Sequence, residues 1–106
     1  MTLTKNFKAT VIDRVQKDVS FVQALLDEAA ALFLNGEPET ARLILRDLIN
    51  ATIGFGQLAN LTAIPSKGLH RMLSRTGNPS MDNLAAIFRV VREKLQGNLQ
   101  AHSVAV

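Results

Sequence analysis

Lys67, Arg71 and Arg75 recur every four residues in a stretch with no acidic residue between Asp47 and Asp82. On a helix that spacing places the three cations on one face. Ser66, His70 and Ser74 stand beside them and add hydrogen-bonding groups. A face of this kind suits an anionic partner that also offers polar edges, and a DNA duplex does both. The charge balance of the chain points the same way. Residues 1–53 hold six Lys/Arg and seven Asp/Glu, whereas residues 54–106 hold six and two. A one-sided basic half favours an anionic partner. The plainer alternative is a solvated helix face, with His70 an ordinary surface histidine and Gln57 a first-turn polar residue.

Catalytic chemistry has little to stand on. The two histidines, His70 and His102, have no carboxylate at a helix-face spacing. No glycine-rich phosphate loop, HExxH motif or metal-ligand cluster appears. The expectation is therefore a non-enzyme with no cofactor and no metal. The absence of cysteine excludes disulfides, thiolate zinc sites and cysteine catalysis, and fits a reducing compartment. With no Trp or Tyr, and the five Phe mostly on apolar stripes, few platforms exist for stacking single-stranded bases.

The remaining sequence must position the basic segment. At 106 residues and 47% hydrophobic content, one folded domain is expected. The longest purely apolar run, Ala29–Leu34, is far short of the roughly 20 residues that span a bilayer. The first 15 residues carry charge every few positions and lack a signal-peptide core. A cytoplasmic protein without membrane contact is expected.

The apolar pattern is helical. Phe7, Val11 and Val15 make a first stripe, and Asp18 could cap the helix that follows. That helix carries Phe21, Val22, Leu25, Leu26, Ala29, Leu32 and Phe33 at core spacing and ends at Asn35-Gly36. Pro38 opens a third helix, with Ala41, Ile44, Leu45, Leu48 and Ile49 inward and Gly54 and Gly56 at its end. A short helix centred on residues 57–61, a turn at 63–66 and a helix over about 66–74 follow. The loop Thr76–Ser80 leads to a last helix with Leu84, Ile87, Phe88, Val91 and Leu95 on one face. Gly97-Asn98 is expected to stop it, leaving a tail, 97–106, as a short strand or a frayed end.

The expected architecture is all-α: a small bundle of five to six helices containing a helix-turn-helix. Residues 5–53 would be leading helices for packing or a partner, and 54–96 the helix-turn-helix core. Leu58 and Leu61 anchor the first short helix, and Ala59 permits close crossing. Ile64 plugs the turn, while Leu69 and Met72 bury the inner face of the second helix.

QLANLTAIPSKGLHRML followed by GNPSMDNLAAIF resembles the helix-turn-helix regulators of the lambda repressor and Cro type. It is most similar to the HigA-like antitoxins of bacterial addiction modules. The resemblance rests on Leu58-Ala59, Gly68-Leu69 and Gly77-Asn78-Pro79-Ser80, and spans roughly 54–96. It implies a lambda-repressor-like fold, a DNA-binding homodimer that represses its own operon, and a RelE-type toxin as partner. Lys67, His70 and Arg71 would then face base edges, with Ser66 a further candidate. Gln57, Ser74, Arg75, Asn78 and Ser80 complete the expected DNA contacts, and Gln57, Arg75, Asn78 and Ser80 fall beside phosphates. Ala63 stands where the family often has glycine, so either a slightly different turn or a strained backbone at Ala63 is expected. Pro65 replaces the usual capping serine, so Ser66 would take over the cap. A helical protein–protein adaptor without DNA binding is the competing expectation.

Overall fold

The computed structural model describes the backbone of residues 19–105 and the side chains of residues 20–95. The stripe Phe7, Val11 and Val15 and the proposed cap Asp18 lie outside the described residues. Among the described residues five helices follow one another: α1 Val19–Leu34, α2 Pro38–Ala51, α3 Phe55–Thr62, α4 Ser66–Met72 and α5 Met81–Ala105. The chain is thus an all-helical bundle, with no strand among the described residues.

Helix ends follow local chemistry. Gly36 takes a φ of +81° after α1. Its N–H donates to the Phe33 carbonyl, and the Glu37 N–H donates to that of Leu32. This crossed pair satisfies carbonyls that a helix end leaves open, and glycine adopts the left-handed turn at no steric cost. Pro38 then begins α2, where a missing N–H removes nothing from the ladder. Gly54 takes a φ of +83° and donates to the Ile49 carbonyl, closing α2 and opening α3. Gly56 lies inside α3 rather than at the end of α2.

One core joins all five helices. Val22, Leu26 and Ala29 of α1 meet Leu45, Leu48 and Ile49 of α2, and Ile87, Val91 and Leu95 of α5. Phe33 of α1 meets Phe88 of α5 edge to face, with ring centroids 6.0 Å apart, a favoured aromatic geometry. Phe55, Leu58, Leu69 and Leu73 extend the same core under the two short helices. Helix α3 packs on both α4 and α5. The short pair is therefore seated on the bundle and does not depend on its own length for stability, which isolated segments of this size lack.

Two expectations need correction at the C-terminal end. Gly97-Asn98 does not stop α5, which runs through to Ala105, and residues 99–105 form helix instead of a strand. Glycine in a helix interior costs about 1 kcal/mol relative to alanine, a penalty that the good helix formers around it can offset. Val106 lies outside the described residues.

Two glycines near the short pair differ sharply. A Cβ at Gly77 would collide with the Met72 carbonyl oxygen and lie 2.5 Å from that of Arg71. A Cβ at Gly68 would meet only the Ile64 Cγ2 at 3.7 Å and the Met72 Cε at 4.0 Å. Gly77→Ala is expected to destabilise by about 1–3 kcal/mol or more through overpacking. Gly68→Ala is expected to be neutral or stabilising by up to about 1 kcal/mol through helix propensity. Urea unfolding of the two variants beside the parent chain checks both.

Candidate nucleic-acid interface

Helices α3 and α4 are separated by the three residues Ala63-Ile64-Pro65. The Thr62 hydroxyl donates to the Leu58 carbonyl at 2.8 Å and accepts from the Ile64 N–H at 3.3 Å. Ala63 takes a φ of +59° and a ψ of 26°. Of the two expected outcomes, a different turn or a strained backbone, this is the second, since a Cβ is unfavourable in the left-handed region. Ile64 packs against the core from within the turn. Pro65 precedes α4, and Ser66 is that helix's first residue, half-buried and without the capping role expected of it.

On α4, Leu69 is fully buried, as is Leu73 just past its end, while Met72 is half-buried. Lys67, His70 and Arg71 are exposed on the other side. Neither Lys67 nor Arg71 pairs with a carboxylate among the described residues. Both cations are therefore exposed, with no ion pair to break among the described residues before an external anion is met.

Arg75 behaves differently and corrects the expectation of three cations on one helix face. Helix α4 ends at Met72, so Arg75 lies beyond it. A continued helix would pair the Arg75 carbonyl with the N–H of residue 79, but Pro79 has none. Arg42 of α2 occupies that position in the bonding scheme. Its Nε donates to the Ser74 carbonyl at 3.0 Å, and its Nη2 donates to the Arg75 carbonyl at 2.8 Å. The Arg75 side chain turns to α2, with its Nε 3.3 Å from the Glu39 Oε2. Both partners are largely exposed, so this ion pair contributes little to stability.

The remaining expected contacts divide. Gln57 is exposed in the first turn of α3, and Asn78 is exposed in the loop before α5. Ser74 is half-buried and its hydroxyl donates to the Arg71 carbonyl at 2.8 Å. Ser80 caps α5, its Oγ accepting from the Asn83 N–H at 3.1 Å, which satisfies one of the helix's open donors. Its hydroxyl proton remains able to donate outward. Arg71, Ser74, Asn78, Ser80 and Asn83 line an open groove of about 570 Å³ between the end of α4 and the start of α5. The structure thus brings Arg71, Ser74, Asn78 and Ser80 together around one groove.

Two features escape a reading of the sequence. One is the Arg42 clamp. The other is the His70 ring, which stacks on Phe55 at a centroid distance of 4.0 Å and an interplanar angle of 22°. Phe55 is only 6% exposed, so it presents one ring face to His70 and the rest to the core. An apolar residue opening a helix and a histidine further along carry no local signal that they will meet.

No protein-family model, curated protein or solved structure matches the chain.

Removing Arg42 while leaving the backbone intact would take the side-chain donor from the Arg75 carbonyl and leave the Ser74 carbonyl, just past α4, with the Gly77 N–H. Arg42→Met is expected to cost about 2–4 kcal/mol, given that hydrogen bonds to charged groups contribute about 1.5–3 kcal/mol each and do not add fully. Arg42→Lys is expected to recover only part of this, because a lysine lacks the planar fork. Glu39→Gln, by contrast, is expected to shift stability by less than about 0.5 kcal/mol. Chemical denaturation of the three variants checks the ranking.

Proposed function

We propose that this chain is a sequence-specific double-stranded DNA-binding repressor, with α3 and α4 as its helix-turn-helix. The observation that carries this reading is the two-sided character of α4. Its inner face is locked into the core through Leu69, and its outer face presents Lys67, His70 and Arg71 to solvent. A major groove accepts a helix of that kind. In this reading Arg71 grips a guanine with two hydrogen bonds, and Lys67 and His70 reach neighbouring bases. Gln57, at the start of α3, and Asn78 and Ser80, beside the groove before α5, meet phosphates. Ser66 and Ser74 fall to the edge of the contact, because both are half-buried. Arg75 reaches phosphate only by leaving Glu39.

One recognition helix spans few base pairs, so a homodimer on a two-fold related operator follows, with half-sites about 34 Å apart. The face of α5 and the segment containing Leu99, Val104 and Val106 are its proposed interfaces. The chain would act in the cytoplasm, without catalysis or a cofactor. Among the described residues no helix is long and apolar enough to cross a membrane.

The resemblance to HigA-like antitoxins extends the proposal to a toxin–antitoxin operon, with the leading helices of residues 5–53 holding a RelE-type toxin. Leu34, at the end of α1, is 86% exposed and gives that surface an apolar contact point. The same observation favours a second reading, a helical adaptor that binds proteins through α1 and α2 and no DNA.

A binding titration with a duplex from the chain's own promoter separates the readings. Specific binding is expected, with Arg71→Ala losing about 1–3 kcal/mol and relaxing the preference at one base pair. Lys67→Ala is expected to weaken binding to the promoter duplex more than to an unrelated one. Attraction that is weak, indifferent to sequence and erased by salt would support the adaptor instead.

A further inference from the structure

We propose that Phe55 is a positioning residue for recognition: by covering one face of the His70 imidazole, it turns His70 into an oriented reader of guanine. The inference rests on the DNA-binding reading above and names a determinant of its specificity. His70 is exposed on α4, yet its ring lies 4.0 Å from that of Phe55 and within 22° of parallel. A surface histidine ordinarily samples several rotamers. Here a buried aromatic at the first residue of α3 removes that freedom. Phe55 is itself held by the core, so the platform does not move with the side chain it supports.

With one ring face occupied, the imidazole offers a partner its other face and its edge. The edge carries the nitrogens, and a neutral imidazole has one donor and one acceptor there. Guanine is the base whose major-groove edge shows two acceptors side by side, N7 and O6. A donor on an oriented ring therefore finds a partner on guanine with little dependence on small shifts along the groove. Because the stack orders the side chain before binding, less freedom is lost on contact. Phe55 touches no DNA in this scheme and acts through His70 alone.

The test begins with selection of a preferred duplex by the full-length chain from a random library. The parent, Phe55→Leu, Phe55→Tyr, His70→Ala and the Phe55→Leu/His70→Ala double variant are then titrated against that duplex. Each is also titrated against single base-pair changes and an unrelated duplex. Phe55→Leu is expected to weaken the preferred duplex 3- to 10-fold, a range within the loss expected for an unordered side chain at an interface. It is expected to lose discrimination at one G·C pair and to leave the unrelated duplex and the salt slope unchanged. Phe55→Tyr is expected to keep the discrimination, and the double variant to bind no worse than His70→Ala. If Phe55→Leu weakens every duplex equally, or its loss multiplies with that of His70→Ala, the proposal is overturned and DNA binding stands. If no duplex is enriched, the DNA-binding reading itself falls, and this one with it. Should Phe55→Leu not fold, the His70 ring protons of the parent chain decide by NMR. Upfield ring-current shifts retained in the complex support the proposal, and their loss on binding overturns it.

Discussion

The buried guanidinium of Arg42 binds the carbonyls of Ser74 and Arg75, and the geometry of the exposed basic helix depends on it. Helix ends leave carbonyls without partners, and their partial negative charge draws a cation. Here the cation comes from α2, in a position that is 9% exposed and shielded from solvent. Low local polarity strengthens such bonds and makes their loss costly. The clamp holds the turn just past α4, where the chain enters the loop before α5, and ties the α1–α2 hairpin to the short pair. Without it, Leu73 would still favour the core, but the path from residue 74 to Gly77 would rest on the Gly77 N–H to Ser74 carbonyl bond alone.

That path is narrow. The Gly77 N–H donates to the Ser74 carbonyl, the same oxygen that Arg42 binds, and the space beside Gly77 holds no side chain. Three neighbouring constraints therefore act on a few residues: a clamp, a turn closed by a small residue, and Pro79 with no N–H to extend the helix. They set where the groove opens between α4 and α5. Arg71, Asn78 and Ser80 meet around that groove because the loop has so few alternatives. The proposed phosphate contacts are in this sense products of the α2 side chain.

Much of the bundle was legible because its causes are local. Leu45, Leu48 and Ile49 declare a helix face by their spacing, and Gly36 and Pro38 announce an end and a start through backbone properties of their own. The strain at Ala63 was one of the two outcomes implied by the resemblance for a position that is often glycine. The outward position of Lys67 and Arg71 followed from the inward position of Leu69. What could not be read depends on distance in the chain. Arg42 and the carbonyls it binds are 32 and 33 residues apart, and no periodicity encodes that pairing. The Phe55–His70 stack is hidden in the same way. Arg75 was misplaced because a four-residue spacing was extended past the end of α4 at Met72. Helix α5 outran its expected stop because glycine permits a left-handed turn without requiring one.

Ala63 holds a left-handed conformation that glycine would adopt freely, and the methyl group changes both sides of the folding equilibrium. In the native turn it costs about 1 kcal/mol or more of steric conflict. In the unfolded chain it restricts wandering that a glycine would allow, which returns part of that loss. The hinge between the two short helices is thus somewhat tense but stiff. A tense, stiff hinge favours a fixed crossing of α3 and α4 over one that adapts to each surface it meets, and a protein built this way tolerates little variation in the spacing of what it grips.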